Sequence, residues 1–304
     1  MFREAVLGLA GNPVVKGTLT RYGMQLGASR FVAGRTLTEA IEVIREINGS
    51  GVMVTLDHLG EAVRDEKEAQ AAKDSYLAML EAIHQSGVNA NVSLKLTMMG
   101  LALDEQWGWT HLLEIVEKAA FYENFVRIDM EDSPYTDVTL RLYEKVQALH
   151  PENVGVVLQA YLYRSVDDLR YLSNPPKNFR IVKGAYREPV SVAFPSKADV
   201  DDNYVRLVQE SMQLGNYTAV GTHDERLIGR VLKFVHENNV PRDRFEFQML
   251  YGVGFNLLKS LADQGYRTRV YVPYGEDWYA YYVRRVAERP ANLLFFARAL
   301  VAGK

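Results

Sequence analysis

Cysteine is absent from this chain of 304 residues. Disulfide bonds, thiolate nucleophiles and zinc sites with cysteine ligands are therefore excluded. A chain without cysteine suits a reducing compartment, and the first residues, Met1 to Glu4, show no signal-peptide pattern. We therefore expect a cytoplasmic protein.

Long apolar runs and an excess of basic charge are also missing. The longest apolar stretch near the carboxyl terminus, Leu293 to Ala297, is interrupted by Arg298, whereas a membrane span needs about 20 apolar residues. The formal net charge is −3, and broad nucleic-acid binding requires a basic surface. We expect a soluble protein that binds no nucleic acid, although it could still contact a membrane surface.

Three common cofactor motifs are absent. The pair Gly252 and Gly254 begins a dinucleotide-like pattern, but Leu257 occupies the position of the third glycine, so a Rossmann site is unsupported. The sequence contains no Walker P-loop. It also has no His-x-His pair, which argues against a metal-dependent amidohydrolase, and we expect no metal site.

The clearest positive signal is a regular alternation of strand and helix patterns. The β-rich runs cover residues 52–56, 92–96, 125–129, 154–159, 179–183, 217–220, 245–250 and 268–272. The helical patterns cover residues 66–85, 109–122, 136–149, 198–214, 225–237, 256–263 and 276–287. Such alternation predicts βαβ units and a parallel sheet. A doubly wound open sheet gives the same local pattern, but eight units in roughly 250 residues favour a (βα)8 barrel.

Residues 1–50 precede the first strand and have mostly helical patterns. Thr36 and Glu39 have the spacing of a capping box, and Gly49 follows the apolar positions of the same helix. We predict a single α/β domain. It comprises an N-terminal segment of accessory helices, residues 1–50, packed on a distorted TIM-like (βα)8 catalytic barrel, residues 51–304.

Polar side chains collect near the carboxyl ends of the predicted strands, where barrels of this kind carry their chemistry. They are Asp57, His58, Glu61, Lys95, Asp129, Glu131, Gln159, Arg180, Lys183, Thr222, His223, Gln248, Arg269 and Tyr271. Charged groups inside β-rich runs are costly unless they are paired. One such group is commonly part of a structural ion pair, but several on successive strands indicate a functional site.

Two neighbouring arginines, Arg284 and Arg285, follow the last strand. Adjacent helical residues point about 100° apart, so these side chains could approach one carboxylate from different sides. Glu288 is within reach of either arginine. The alternative interpretation is a solvated basic helix face.

Taken in order, these motifs resemble those of FAD-dependent proline dehydrogenases. The matching segments are 57–61, 92–96, 127–131, 158–161, 180–186, 222–223, 245–248 and 271–273, followed by Arg284, Arg285, Glu288 and Asn292. Each motif is weak alone, but eight in the right order are specific. The resemblance covers about residues 50 to 295, and the length is that of the monofunctional bacterial type.

The resemblance implies a function. The chain would hold FAD non-covalently and oxidise L-proline to 1-pyrroline-5-carboxylate by hydride transfer to flavin N5, the first step of proline catabolism to glutamate. It implies a quinone as electron acceptor, with peripheral contact at the inner face of the membrane. Pyrroline-5-carboxylate dehydrogenase would be the downstream enzyme.

The resemblance also assigns residues. Asp129 and Arg180 are the implied catalytic residues, and whether Asp129 acts as a base or as an electrostatic anchor is left open. The implied substrate contacts are Lys95, Tyr271, Arg284 and Arg285, with Glu61 and Glu288 as gate residues. The implied FAD contacts are Met130, Gln159, Arg180, Lys183, Gly184, Ala185, Thr222 and His223. Arg187 stands where some relatives have an aromatic residue, which leaves the flavin conformation undetermined.

Two other functions are consistent with the residues alone. In a class I aldolase, Lys183 or Lys95 would form a Schiff base with a carbonyl substrate. That interpretation leaves the paired arginines and the Thr222–His223 motif unexplained. A barrel that binds an anion without catalysis is the second alternative.

Overall fold

Eight short parallel strands form a closed barrel in the computed structural model, which describes residues 17, 20, 23–24, 27–60 and 62–288. The strands are β1 (Met53–His58), β2 (Ala90–Leu94), β3 (Val126–Ile128), β4 (Val154–Gln159), β5 (Asn178–Val182), β6 (Tyr217–Gly221), β7 (Phe245–Leu250) and β8 (Thr268–Tyr274). Each strand pairs with the next, and β8 pairs with β1 in the register Val54 to Val270. This closure confirms the predicted barrel and excludes the doubly wound sheet.

Helices alternate with the strands in the described part of the chain. They are α1 (Leu37–Asn48), α2 (Glu66–Ser86), α3 (Glu105–Phe121), α4 (Ser133–Leu149), α5 (Ser165–Leu172), α6 (Lys197–Gln213), α7 (Glu225–Glu237), α8 (Phe255–Asp263) and α9 (Trp278–Glu288). Short 3₁₀ turns occupy Ala28–Arg30 and Arg242–Arg244. The largest core cluster lies between the strands and helices α1 to α8.

The predicted start of α1 is confirmed in detail. The hydroxyl of Thr36 accepts a hydrogen bond from the Glu39 amide at 3.3 Å, and the Glu39 carboxylate accepts from the Thr36 amide at 3.0 Å. This capping box satisfies two amides that the helix cannot. The buried face of α1, which includes Ile44, packs into the main core. Residues 1–16 lie outside the described residues, so the N-terminal segment stays a prediction there.

Helix α5 was missed in the sequence, which showed no helical pattern between β4 and β5. It spans two turns, and no side chain caps its first residue. Its apolar signal is limited to Val166, Leu169 and Leu172, which are buried. Three residues at i, i+3 and i+6 are too few to distinguish a helix from a loop.

Three strands, β2, β3 and β5, end earlier than predicted, which corrects the positions of the charged residues at their ends. Lys95 was expected inside β2, but β2 ends at Leu94, and the Met98 amide donates to the Lys95 carbonyl in a turn. Lys183 likewise follows β5. Both lysines therefore lie at the rim of the barrel and not within its wall.

Helix α9 packs with the N-terminal segment and with residues that follow the strands. Its buried residues, among them Trp278 and Tyr282, form a cluster with Phe31 of the N-terminal segment. The same cluster includes Leu59, which follows β1, and Val253, which follows β7. Helix α9 thus packs over the carboxyl ends of the strands. The apolar stretch from Leu293 to Ala297 lies outside the described residues, and in the part described no helix is long and apolar enough to cross a membrane.

Candidate active site

Asp129, directly after β3, is the centre of a polar cluster at the carboxyl ends of the strands. One carboxylate oxygen, Oδ1, accepts hydrogen bonds from Ser93 Oγ at 2.7 Å and from Arg180 Nη1 at 2.8 Å. The other, Oδ2, accepts from the Tyr271 hydroxyl at 2.9 Å. Donors from β2, β5 and β8 therefore meet at one carboxylate in the barrel interior. The structure brings three of the predicted residues together: Asp129, Arg180 and Tyr271.

Lys95 joins this cluster between two carboxylates. Its Nζ lies 3.4 Å from Asp57 Oδ1 and 3.9 Å from Asp129 Oδ2. Burial alone would lower the pKa of Lys95, but the charges of Asp57 and Asp129 outweigh burial and raise the pKa above its ordinary value. The side chain is therefore an ammonium at neutral pH. A Schiff base requires a neutral amine, so this site opposes the aldolase interpretation for Lys95.

Asp57, in β1, is a site residue that the sequence did not assign. Its side chain is 2% exposed and accepts hydrogen bonds from Lys95 and from the Tyr76 hydroxyl, both at 3.4 Å. Burial raises the pKa of Asp57, the nearby charge of Asp129 raises it further, and Lys95 opposes both. An acidic residue near the end of the first strand was the available signal, but nothing in the sequence joined it to Lys95.

Arg180, within β5, donates to three polar neighbours, one of which is Ser93 Oγ, 3.3 Å from Nη1. Its Nε donates to Gln248 Oε1 at 2.6 Å, and its Nη1 donates to Asp129. The guanidinium carbon lies 5.4 Å from the centre of the Tyr271 ring. Arg180 is 5% exposed, and its Nη2 is buried without a hydrogen-bond partner among the described residues. A buried cationic donor without a protein acceptor fits a polar or anionic bound molecule.

Met130 and Gln159, two of the predicted flavin contacts, are buried near this cluster. Gln159 ends β4, is 2% exposed and donates from Nε2 to the Glu131 carbonyl at 2.7 Å. The Glu131 carboxylate is also buried and accepts from the Thr97 hydroxyl at 2.5 Å. Burial raises the pKa of Glu131, and the bonds from Thr97 oppose the shift. Glu131 was noted at the end of β3 but was not assigned a role.

Lys183, predicted as a flavin contact, is held by two acidic residues. Its Nζ lies 2.5 Å from Asp201 Oδ1 on α6 and 3.4 Å from Asp224 Oδ2 at the start of α7. The structure therefore places Lys183 in an ion-pair group between β5 and the next two helices. The lysine is 27% exposed.

Thr222 and His223 follow β6 and adopt a fixed local arrangement. Thr222 Oγ1 accepts from the Asp224 amide at 3.2 Å. His223 Nε2 accepts from the Leu250 amide at 2.8 Å, which assigns the proton of a neutral imidazole to Nδ1. The pair thus stands beside the ion-pair group of Lys183, at the same end of the barrel.

Gly184 has a structural reason to be glycine. Its φ is +106°, and a Cβ at this position would lie 2.3 Å from the Tyr161 ring. The glycine thus makes room for the Tyr161 ring, and its implied contact with FAD stays a prediction. Ala185, the next residue, is exposed.

Arg284 and Arg285 lie on α9, over the mouth of the barrel. Arg284 is exposed, and its charge acts on Tyr186, a loop residue after β5. Burial raises the pKa of Tyr186 to about 12, Glu131 adds to the shift, and Lys95 and Arg284 oppose it. Tyr186 therefore lies within electrostatic range of both Arg284 on α9 and Lys95 after β2.

Arg285 neighbours Arg284 on α9, and the gate residues implied for the two arginines are Glu61 and Glu288. Arg285 is partly buried, and its guanidinium carbon lies 5.1 Å from the centre of the Tyr281 ring. Glu61 lies outside the described residues, and the side chain of Glu288 is not described. Their pairing with the arginines stays a prediction.

No group of three or more acidic or histidine side chains that could hold a metal occurs in the part of the chain described.

Comparison with known proteins identifies the family. The family model for proline dehydrogenase matches residues 40–298. Proline dehydrogenase of Deinococcus radiodurans is 44% identical over 307 residues, which cover 100% of this chain and 99% of the relative. Proline dehydrogenase 1 of Bacillus subtilis is 42% identical over 301 residues, which cover 99% of both chains.

Solved structures agree with the fold. Proline utilization A (PutA) from Bdellovibrio bacteriovorus, inactivated by N-propargylglycine, superposes with a TM-score of 0.82 at 25% identity, covering 90% of this chain and 34% of that one. The chain thus spans about a third of that protein, but nearly the full length of the relatives from Deinococcus and Bacillus. Because the family model, the two relatives and the barrel agree, we conclude that this chain belongs to the proline dehydrogenase family and is an oxidoreductase.

Proposed function

We propose that the barrel oxidises L-proline to 1-pyrroline-5-carboxylate with non-covalently bound FAD, as the first step of proline catabolism to glutamate. Bound FAD would accept a hydride at N5 from the ring carbon next to the proline nitrogen. The single observation that carries this proposal is that Lys95, Arg180 and Tyr271 all surround the carboxylate of Asp129.

The substrate carboxylate is the natural handle for orientation, because it is a fixed anion close to the reacting ring carbon. We propose that Arg284, Arg285 and Lys95 bind it. Arginine suits this role because its planar fork matches a carboxylate, whereas lysine provides a point charge. Asp57 and Asp129 offset the charge of Lys95 before substrate binds. Glu61 and Glu288 would pair with the arginines and act as the gate.

Asp129 is proposed as an electrostatic anchor and not as the base. Its two oxygens together already accept hydrogen bonds from three donors, two on Oδ1 and one on Oδ2. Its role would then be to fix the Arg180 guanidinium and the Tyr271 hydroxyl. The Tyr271 ring would pack against the proline ring and limit substrate size.

Arg180 is the residue best positioned to bind the flavin. Its buried Nη2 has no hydrogen-bond partner among the described residues, and its positive charge would favour the anionic reduced form. We propose that Met130, Gln159 and the residues after β5 and β6 complete the cofactor site; the latter are Lys183, Gly184, Ala185, Thr222 and His223.

The remaining partners follow from the family resemblance alone. We propose a membrane quinone as electron acceptor, with a cytoplasmic enzyme that makes peripheral contact at the inner face of the membrane. Pyrroline-5-carboxylate dehydrogenase would act on the product.

An absorption spectrum tests the proposal directly. We expect the purified protein to absorb at flavin wavelengths and to bleach when L-proline is added without oxygen, because the substrate reduces the bound cofactor. A colourless protein that FAD does not activate would contradict the proposal. An adduct trapped by borohydride on Lys183 would instead support the aldolase alternative.

A further inference from the structure

Gln248, within β7, connects the Asp129 cluster with a second buried charged group. We infer that Gln248 is a positioning residue that fixes the Arg180 guanidinium for the reaction. This inference rests on the proposed function, since Arg180 matters for the rate only if it contacts the cofactor or the reacting atoms.

The amide of Gln248 uses both of its polar atoms on charged partners. Its Oε1 accepts from Arg180 Nε at 2.6 Å, and its Nε2 donates to Glu246 Oε1. Gln248 is 6% exposed, so water cannot readily replace either bond. The two partners also fix the orientation of the amide, because a guanidinium only donates and a carboxylate only accepts.

Glu246 provides a rigid support for this amide. It accepts from Arg269 Nε at 2.8 Å and from the Tyr217 hydroxyl at 2.9 Å. Arg269 in turn donates from Nη1 to the Val54 carbonyl at 2.8 Å. Burial alone would raise the pKa of Glu246, but Arg269 outweighs burial and lowers the pKa to about 2. The support is therefore an ionised carboxylate held by residues of β1, β6 and β8.

Two hydrogen bonds shorter than 3 Å, one on Nη1 and one on Nε, determine the plane of the Arg180 guanidinium, and Nη1 also donates to Ser93 Oγ at 3.3 Å. Asp129 holds Nη1 at 2.8 Å, and Gln248 holds Nε at 2.6 Å. The third nitrogen, Nη2, is the one without a hydrogen-bond partner among the described residues. With Gln248 removed, Asp129 would still attract the charge, but the guanidinium could turn about its bond to Asp129. A misplacement of about 1 Å near the reacting atoms can slow a reaction by roughly 100-fold.

The test compares Gln248→Met with Tyr217→Phe. Methionine keeps the length of glutamine but loses both hydrogen bonds. Tyr217→Phe removes a donor from the other oxygen of Glu246 and leaves the bond to Gln248 in place. We expect Gln248→Met to slow anaerobic flavin reduction by proline by about 10- to 100-fold, with half-saturation by proline changed by less than about 2-fold because no substrate contact is lost. Tyr217→Phe should reduce flavin at the wild-type rate.

A second measurement reports on geometry without turnover. In the flavin-free protein, the ¹H–¹⁵N signal of Arg180 Nε should be protected from exchange in the wild type and in Tyr217→Phe, and should lose that protection in Gln248→Met. If Gln248→Met does not fold, Gln248→Asn serves instead, since its amide is one methylene too short to reach both partners.

The outcomes separate the two proposals. If the wild-type protein does not reduce flavin with proline, the proposed function fails, whereas the Nε signal still decides whether Gln248 holds Arg180. A wild-type reduction rate or an unchanged Nε signal in the Gln248 variant overturns the positioning role. Equal slowing in Tyr217→Phe also overturns it, because the effect would then belong to the Glu246 group in general.

Discussion

Asp129 illustrates how one side chain can organise a pocket, since Arg180, Ser93 and Tyr271 all donate to it. We predict that Asp129→Ala loses about 10- to 100-fold in proline turnover, the value of one charge-assisted hydrogen bond. The variant should keep its flavin. Leaving Arg180 buried with one charged partner fewer should lower the free energy of unfolding by about 3–5 kcal/mol. Turnover assays, flavin content and urea unfolding measure the three effects.

Ser93→Ala is the matched control for this prediction. It removes one neutral donor from the same carboxylate oxygen and one longer hydrogen bond, at 3.3 Å, from Arg180 Nη1, and it leaves the charge pair intact. Ser93→Ala should lower the free energy of unfolding by about 1 kcal/mol. Near-normal proline oxidation by Asp129→Ala would show that the carboxylate is dispensable.

Gly184 leads to a prediction about stability. We expect Gly184→Ala to destabilise the protein by about 1–3 kcal/mol, because its φ of +106° and the Tyr161 ring at 2.3 Å both oppose a Cβ. Gly229→Ala, on the exposed face of α7, meets nothing within 4 Å and should be neutral or stabilising by up to about 1 kcal/mol. Thermal unfolding distinguishes them; equal midpoints would refute the steric argument.

At this scale the sequence predicted the centre of the site but not all of its contacts. Lys95, Asp129, Arg180 and Tyr271 were assigned to one site and do form one cluster. Asp57 was seen but not assigned, because its contact with Lys95 depends on how far a side chain reaches across the barrel. Other charged residues pair with residues on different strands, and spacing along the chain does not reveal these pairs.

At the scale of elements, helix α9 carries the clearest functional prediction. We expect Arg285→Met to weaken proline use by about 2–4 kcal/mol in kcat/KM, because a charge-assisted contact to the substrate carboxylate is lost. Arg285→Lys should recover part of the loss, since lysine restores charge but not the planar fork. Flavin content should change little, because α9 is not among the proposed cofactor contacts. Steady-state kinetics and absorbance measure these effects.

Pyrrolidine is the control substrate, because it lacks the carboxylate. Its poor turnover should be nearly indifferent to the Arg285 change. Equal losses with pyrrolidine and proline would mean that Arg285 supports the flavin or the fold, and the role as a carboxylate contact would have to be abandoned.

Element type was more predictable than element position. The alternation of short β-rich runs with helical patterns predicted all eight strands, because buried parallel strands are strongly apolar. Helix α5 was missed because its buried face is only three residues long. The packing of α9 over the mouth and not on the outer wall depends on Phe31 and Leu59, distant positions that only the fold brings together.

For the whole molecule, the buried group around Glu246 predicts how stability depends on pH. The pKa of Glu246 is lowered to about 2 in the folded state from an ordinary value of 4.5. The unfolded state therefore binds more protons than the folded state between these two pH values. The contribution of ionised Glu246 to the free energy of unfolding is complete above pH 4.5 and is lost as the pH falls towards 2. It amounts to about 3 kcal/mol.

Urea unfolding from pH 7 to pH 3 measures this contribution. Glu246→Gln keeps the shape of the side chain but cannot titrate, so its stability deficit relative to wild type should narrow as the pH falls below about 4.5. A deficit that stays constant over the same range would show that the charge of Glu246 does not stabilise the fold.

Closure of the barrel has a consequence for biosynthesis. Strand β1 gains its second neighbour only when β8 has been made, since Val54 pairs with Val270. At about 5–20 residues per second, the ribosome needs roughly 10 to 40 s to deliver the intervening chain. During that time the nascent sheet has an open edge at β1 and another at its newest strand, and open edges can pair with other chains. The most vulnerable period of this protein is therefore its own translation, and a chaperone that shields β1 would protect it most.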